Sequence, residues 1–208
     1  MLTGLAFGGL VVGLPCGWLV GHMMKAAKVQ HLPWADEFAL ALAMAFLAMG
    51  ALMGVLALNR RGRAILANPS APEFDVPVRP AEVLFFWLQA GVLVLAGLML
   101  VAPVVVGIAT HGAPAGLGLP TMVAITASFG LQTALNLMIW HRGDEVLKQV
   151  IVESAAATFW LLQGAFFLWA AGEKLKVLPT LSSWDAITVL MAVYLVMSSI
   201  LGFRRGLG

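Results

Sequence analysis

The chain has 208 residues, of which 61% are hydrophobic and only 11% charged, with a net charge of +2. A soluble domain carries about 25% charged residues, so this composition excludes an ordinary water-soluble globule. Arginines without interleaved aromatics on a basic face also argue against a nucleic-acid partner, and anionic lipid headgroups are the expected counterparts.

The hydrophobic residues gather in six uncharged or nearly uncharged runs: Leu2 to Met24, Phe38 to Leu58, Val83 to Gly107, Thr121 to Trp140, Val150 to Ala171 and Ala186 to Phe203. Each is close to the roughly 20 residues that a spanning helix needs and far longer than the roughly 10 of a barrel strand. The sequence therefore predicts an all-α, polytopic transmembrane bundle, a single integral membrane domain over residues 1–208 with six transmembrane helices.

In the first run, Gly9, Gly13, Gly17 and Gly21 recur every fourth residue and line one face of a helix. Lipid gives helices no hydrophobic reason to associate, so such a stripe promotes contact by letting two backbones approach. The run has no basic residue before it and exceeds the apolar length of a secretory signal, so it reads as a mature helix. Pro15 sits mid-span and predicts a kink, and the single Cys16 excludes an internal disulfide.

The second run repeats the theme, with Gly50 and Gly54 four residues apart among many alanines. After it comes the longest connection, about residues 59–81, where Pro69, Pro72, Pro77 and Pro80 exclude a regular helix throughout. The third run opens on Phe86-Trp87-Leu88-Gln89, echoed by Phe159-Trp160-Leu161 with Gln163 in the fifth. Trp34 and Asp36 before the second run are matched by Trp184-Asp185 before the sixth, and both runs end in an arginine pair. Three stacked hairpins would account for these echoes, although Trp at entry and Arg at exit are what any helix of that direction tends to carry.

Basic residues set the orientation. Lys25, Lys28, Lys174 and Lys176 fall on one side of the membrane, and Arg60, Arg61, Arg63, Arg79, Arg142, Lys148, Arg204 and Arg205 fall on the other. The richer side is normally cytoplasmic, which predicts a bacterial-type inner membrane protein with both termini in the cytoplasm.

Glu153 is the one carboxylate embedded in a predicted span. Glu145, Gln149 and Glu153 share a face of the fifth helix, and Ser128, Gln132 and Asn136 share a face of the fourth, by i+4 spacing. Two antiparallel helices joined at Gly143 would bring Glu153 level with Gln132, so Glu153, Gln149, Gln132 and Asn136 form the candidate ion or proton site. The competing structural reading is a polar clamp in which Gln132, Asn136 and a protonated Glu153 hold two helices together.

His22, His31, His111 and His141 are scattered over both sides and combine with no carboxylate or thiol at metal-ligand spacing, so no metal and no cofactor is expected. A phosphate loop, HExxH, nucleophile elbow and Cys-x-x-Cys are all lacking, which argues against an enzyme. The sequence predicts a non-catalytic membrane protein that works by self-association or as an accessory or scaffold subunit of a larger membrane complex. The alternative is a small proton- or cation-coupled transporter or channel using Glu153.

Overall fold

A computed structural model describes residues 32–68, 72–75, 77–109 and 116–204. Among them are six helices: α1 (Trp34–Leu58), α2 (Arg60–Ala67), α3 (Pro80–Ala109), α4 (Gly118–Arg142), α5 (Glu145–Lys174) and α6 (Ser183–Arg204). All but α2 are long and apolar enough to cross a membrane. The glycine ladder from Gly9 to Gly21, Pro15 and Cys16 lie outside the described residues.

The long helices extend past the apolar runs, at both ends in every case but α1, which stops with its run at Leu58. α5 starts at Glu145 and α3 at Pro80, because polar residues outside hydrocarbon keep the helical hydrogen bonds going until a cap stops them. Pro80 suits the first turn of α3, where its missing N–H has no helical partner to lose. Asp144 caps α5, its Oδ1 accepting from the Leu147 N–H at 2.8 Å.

The chain divides into two units, Met1–Arg142 and Gly143–Gly208. In the first, α1 packs on α3 and α3 packs on α4. The buried residues of α1 include Ala39, Ala43, Phe46, Gly50 and Ala57, and those of α3 include Phe86, Ala90, Gly97, Leu100 and Val104. These recur at intervals of three, four and seven, the spacing of a seam in which each side chain sits between residues of the facing helix.

Small residues bring the two backbones close. A methyl group on Gly50 would lie 3.0 Å from the Ala90 carbonyl oxygen, and one on Gly97 would lie 2.9 Å from that of Ala43. Numbers rise along one helix as they fall along the other, so α1 and α3 run antiparallel. α4 joins the far side of α3, with Gly91 opposite Leu135 and the Gln132 amide reaching the Val92 carbonyl at 3.3 Å.

α2 follows α1 after a single non-helical residue, Asn59, whose Oδ1 accepts from the Gly62 N–H at 2.6 Å. Gly62 packs directly on the backbone of Leu56, where no side chain would fit. Arg63 then donates from Nε to the Ala57 carbonyl at 2.7 Å and from Nη2 to the Leu58 carbonyl at 3.4 Å. The last carbonyls of α1, which have no partner within the helix, are thus capped by an arginine from the next one. The prolines downstream had suggested only a connector here, and the structure adds this short helix.

In the second unit, α5 packs on α6. α5 buries Val150, Ser154, Thr158 and Leu162, one residue per turn along a single face, and α6 buries Thr188. The turn between them is closely determined. Lys176 N–H donates to the Glu173 carbonyl at 3.0 Å and Val177 N–H to the Gly172 carbonyl at 2.9 Å, with Lys176 at φ 59°. This is a Schellman stop with lysine at the left-handed position that glycine usually fills. Ser182 and Asp185 then start α6 by exchanging bonds, Ser182 N–H to Asp185 Oδ2 at 2.9 Å and Asp185 N–H to Ser182 Oγ at 3.0 Å.

Candidate functional site

α4 buries only Ile139, and Leu119, Met122, Val123, Phe129, Leu131 and Leu137 are exposed along it. A surface of this kind is foreign to a protein dissolved in water and ordinary for one dissolved in acyl chains. The hydroxyls on these helices fit the same solvent. Thr121, Thr126 and Thr133 on α4 each donate to the carbonyl four residues back, as do Ser154 and Thr188 on α5 and α6, at 2.6 to 2.8 Å. Each satisfies its own hydrogen within its own helix, so no polar partner is required from outside.

Against this background Glu153 is, among the described residues, the carboxylate that lies within an apolar run. At about 1.5 Å per residue, it sits about 12 Å along α5 from Glu145, while the whole helix is about 45 Å long. A hydrocarbon layer of about 30 Å centred on the helix leaves about 7 Å of it outside at each end, so Glu153 is about 5 Å inside the boundary. That depth is shallow enough for a carboxylate to reach headgroups by extending its side chain.

Glu153 is half-buried, and its Oε1 accepts from Gln149 Nε2 at 3.1 Å. The partners are one turn apart on α5, as their spacing predicts. Nearer the helix start, Lys148 Nζ pairs with Glu145 Oε1 at 3.1 Å on the exposed surface. The negative groups Asp144 and Glu145 thus stand at the positive end of the α5 dipole, an arrangement that accounts for them without a ligand.

The other two candidate residues belong to the first unit. Gln132 points its amide at the backbone of α3, bonding the Val92 carbonyl, and Asn136 is exposed on α4. The structure therefore joins Gln149 to Glu153 and gives Gln132 a partner of its own. Of the two glycines singled out in the second run, Gly50 stands at the tight contact with α3, whereas Gly54 has ordinary room, its methyl position lying 3.7 Å from Trp87 Cζ3.

His141 lies with Arg142 in the last turn of α4, and no group of three metal-ligating side chains occurs among the described residues. Trp184, expected at a span end, has its indole N–H buried without a hydrogen-bond partner, as is the Thr158 hydroxyl. At the C-terminal end of α5, Trp169 Nε1 donates to the Pro179 carbonyl at 3.1 Å and Glu173 Oε2 accepts from the Leu181 N–H at 3.3 Å, which ties the turn to the helix.

Sequence spacing did not reveal three structural residues. Gly97 has no small partner four residues away, Arg63 reads as one of several boundary arginines, and Lys176 carries no mark of a positive φ. Only Gly97 left a trace in the sequence, as one of two glycines, with Gly91, in the interior of a long apolar run.

No family model, curated protein or solved structure matches the chain. Its class rests on its own features: several long apolar helices, most of whose threonine and serine hydroxyls named above bond back within the helix, and exposed apolar faces. Together they define a multi-pass membrane protein.

Proposed function

We propose that this protein is a non-catalytic integral membrane protein that works by association, either as an accessory or scaffold subunit of a larger membrane complex or as a homo-oligomer. The observation that supports this reading is the contrast between a closely fitted α1–α3 seam and charged groups that, Glu153 apart, gather at helix ends and connections among the described residues. Such a chain offers contact surface in abundance and little chemistry. The reading includes a bacterial-type inner membrane, six crossings with Leu2 to Met24 as the first, three helical hairpins and both termini in the cytoplasm. Extraction of the full chain from its native membrane in mild detergent tests the central point. Co-purifying subunits, or a defined oligomer by mass, are expected; a lone monomer would count decisively against it.

A second reading is favoured by one observation, the hydrogen bond from Gln149 to Glu153, a half-buried carboxylate within the long apolar helix α5. In it the protein is a small proton- or cation-coupled transporter or channel, with Glu153 as the exchanging group and Gln149 beside it. Replacement of Glu153 by Gln keeps the shape and removes the charge. Loss of flux in proteoliposomes with assembly intact would favour transport, and intact flux with impaired assembly would favour the scaffold.

A further inference from the structure

The elbow between α1 and α2 holds cationic side chains that the fold uses only in part, beside apolar ones that it leaves uncovered. Arg63 is committed to the Ala57 and Leu58 carbonyls, and Arg60 donates from Nη2 to the Asp75 carbonyl at 2.6 Å, which brings the connection back to the start of α2. Arg61 is exposed and has no ion-pair partner among the described residues. Leu58 is 65% exposed, Ile65 39% and Phe74 46%.

Geometry places this cluster at one level of the membrane. α1 has 25 residues, about 37 Å, so it outruns a hydrocarbon layer of about 30 Å and its end at Leu58 reaches the headgroups. α2 cannot swing away from there. The Asn59 cap, the Gly62 contact with Leu56 and the Arg63 bonds hold it against the last turn of α1. On a helix wheel at about 100° per residue Arg61 and Arg63 flank Arg60, and Ile65 and Leu66 flank the position opposite Arg60, so the helix has a cationic and an apolar side, with Arg61 next to Ile65 where the two meet. A short helix with one cationic and one apolar side, fixed at that depth, matches the boundary between phosphates and acyl chains.

We propose that the α1–α2 elbow is a binding surface for anionic phospholipid, with Arg60 and Arg61 on the headgroup phosphates and Ile65 and Phe74 in the acyl boundary beneath. The ligand is lipid in a bilayer, because the exposed apolar side chains flanking the arginines require a hydrocarbon contact that free phosphate cannot supply. Arg60 holds the connection through one nitrogen and keeps its remaining donors for phosphate. The surface is independent of Glu153 and of any subunit partner.

The test uses the full chain in nanodiscs of phosphatidylcholine doped with spin-labelled phosphatidylglycerol or spin-labelled phosphatidylcholine. The wild type is expected to retain the anionic label several-fold better than the zwitterionic one, and 0.5 M salt should remove the preference. Arg61→Gln should reduce it about fivefold, the effect of one basic residue near an anionic surface. Millimolar inorganic phosphate should not compete. A nitroxide at Ile65→Cys on a Cys16→Ser background should be relaxed by oxygen more than by a water-soluble nickel chelate. An equal preference for both labels, no change in Arg61→Gln, displacement by phosphate, or an Ile65 position open to the chelate would each overturn the proposal. So would loss of a co-purifying polypeptide in Arg61→Gln with the lipid preference intact, which would assign the surface to a protein.

Discussion

Adding one methyl group at Gly97 or at Gly54 should have opposite effects, although both lie inside long apolar helices of the same unit. A Cβ on Gly97 would stand 2.6 Å from Leu47 Cγ and 2.9 Å from the Ala43 carbonyl oxygen. The leucine tip can rotate away, but the carbonyl belongs to the backbone of α1, so relief requires the two helices to part by several tenths of an ångström along a shared seam. Overpacking of this kind costs about 1 to 3 kcal/mol. At Gly54 the nearest neighbour is Trp87 Cζ3 at 3.7 Å, an ordinary contact, so the methyl enters without displacement.

Both variants gain the same intrinsic preference of alanine over glycine in a helix, about 1 kcal/mol in water, and this contribution cancels when they are compared with each other. Gly97→Ala should therefore be about 1 to 3 kcal/mol less stable than Gly54→Ala, measured by reversible unfolding of the purified chain in mixed micelles titrated with sodium dodecyl sulfate. Gly50→Ala should fall with Gly97→Ala, because its Cβ would lie 2.8 Å from Val94 Cγ2 and 3.0 Å from the Ala90 carbonyl oxygen. The Gly50→Ala/Gly97→Ala pair should lose less than the sum, since helices parted at one point already give room at the other. Equal stability of Gly97→Ala and Gly54→Ala, or the reverse order, would refute the close α1–α3 approach.

Other outcomes follow from the caps and turns. Lys176→Gly should raise stability by about 0.5 to 1 kcal/mol in the same unfolding assay, because a lysine side chain is strained at φ 59° and glycine is not. Ser182→Ala should lower it by about 1 kcal/mol, since it leaves the Asp185 N–H without its acceptor at the start of α6. Arg63→Gln cannot reach both carbonyls at the end of α1, and faster amide exchange limited to residues around the elbow should report the loss. Glu153→Gln should unfold at the same detergent concentration as the wild type to within about 1 kcal/mol, because the glutamine can still accept from Gln149 one turn back on the same helix, where such side-chain pairs contribute about 0.2 to 0.5 kcal/mol.

The spans were legible because hydrocarbon imposes one rule on a whole helix: about 20 residues without charge. Helix ends were less so, since α5 continues from Val150 back to Glu145 through Lys148 and Gln149, residues that water tolerates in a helix as readily as in a loop. The α1–α3 seam was half legible. Gly50 announces a close contact by its type, but whether Gly54 shares it depends on how far the facing helix has diverged one turn later, and that is set by Trp87. Gln132 shows the same limit. Its spacing identifies the face of α4 on which it lies, whereas its partner, a carbonyl of α3, leaves no trace in side-chain identity.

The two units also differ in what holds their helices together, and this bears on how each responds to change. In the first, the α1–α3 contact sets alanines and glycines against carbonyl oxygens and against larger side chains such as Phe46, Phe86 and Leu100, so its strength lies in dispersion between closely packed helices. Any added atom there is felt immediately, as Gly97 illustrates. In the second, α5 buries Ser154 and Thr158 and α6 buries Thr188, with Ser154 and Thr188 bonded back to their own helices. Hydroxyls turned inward on themselves offer a neighbouring helix a smooth, small surface without fixing its rotation or register. The ordering of α6 on α5 therefore falls to the turn that joins them: the Schellman stop at Lys176, the Trp169 bond to Pro179, the Glu173 bond to Leu181 and the Ser182–Asp185 box. A close seam resists substitution within the membrane, and a smooth one transfers that sensitivity to the loop outside it.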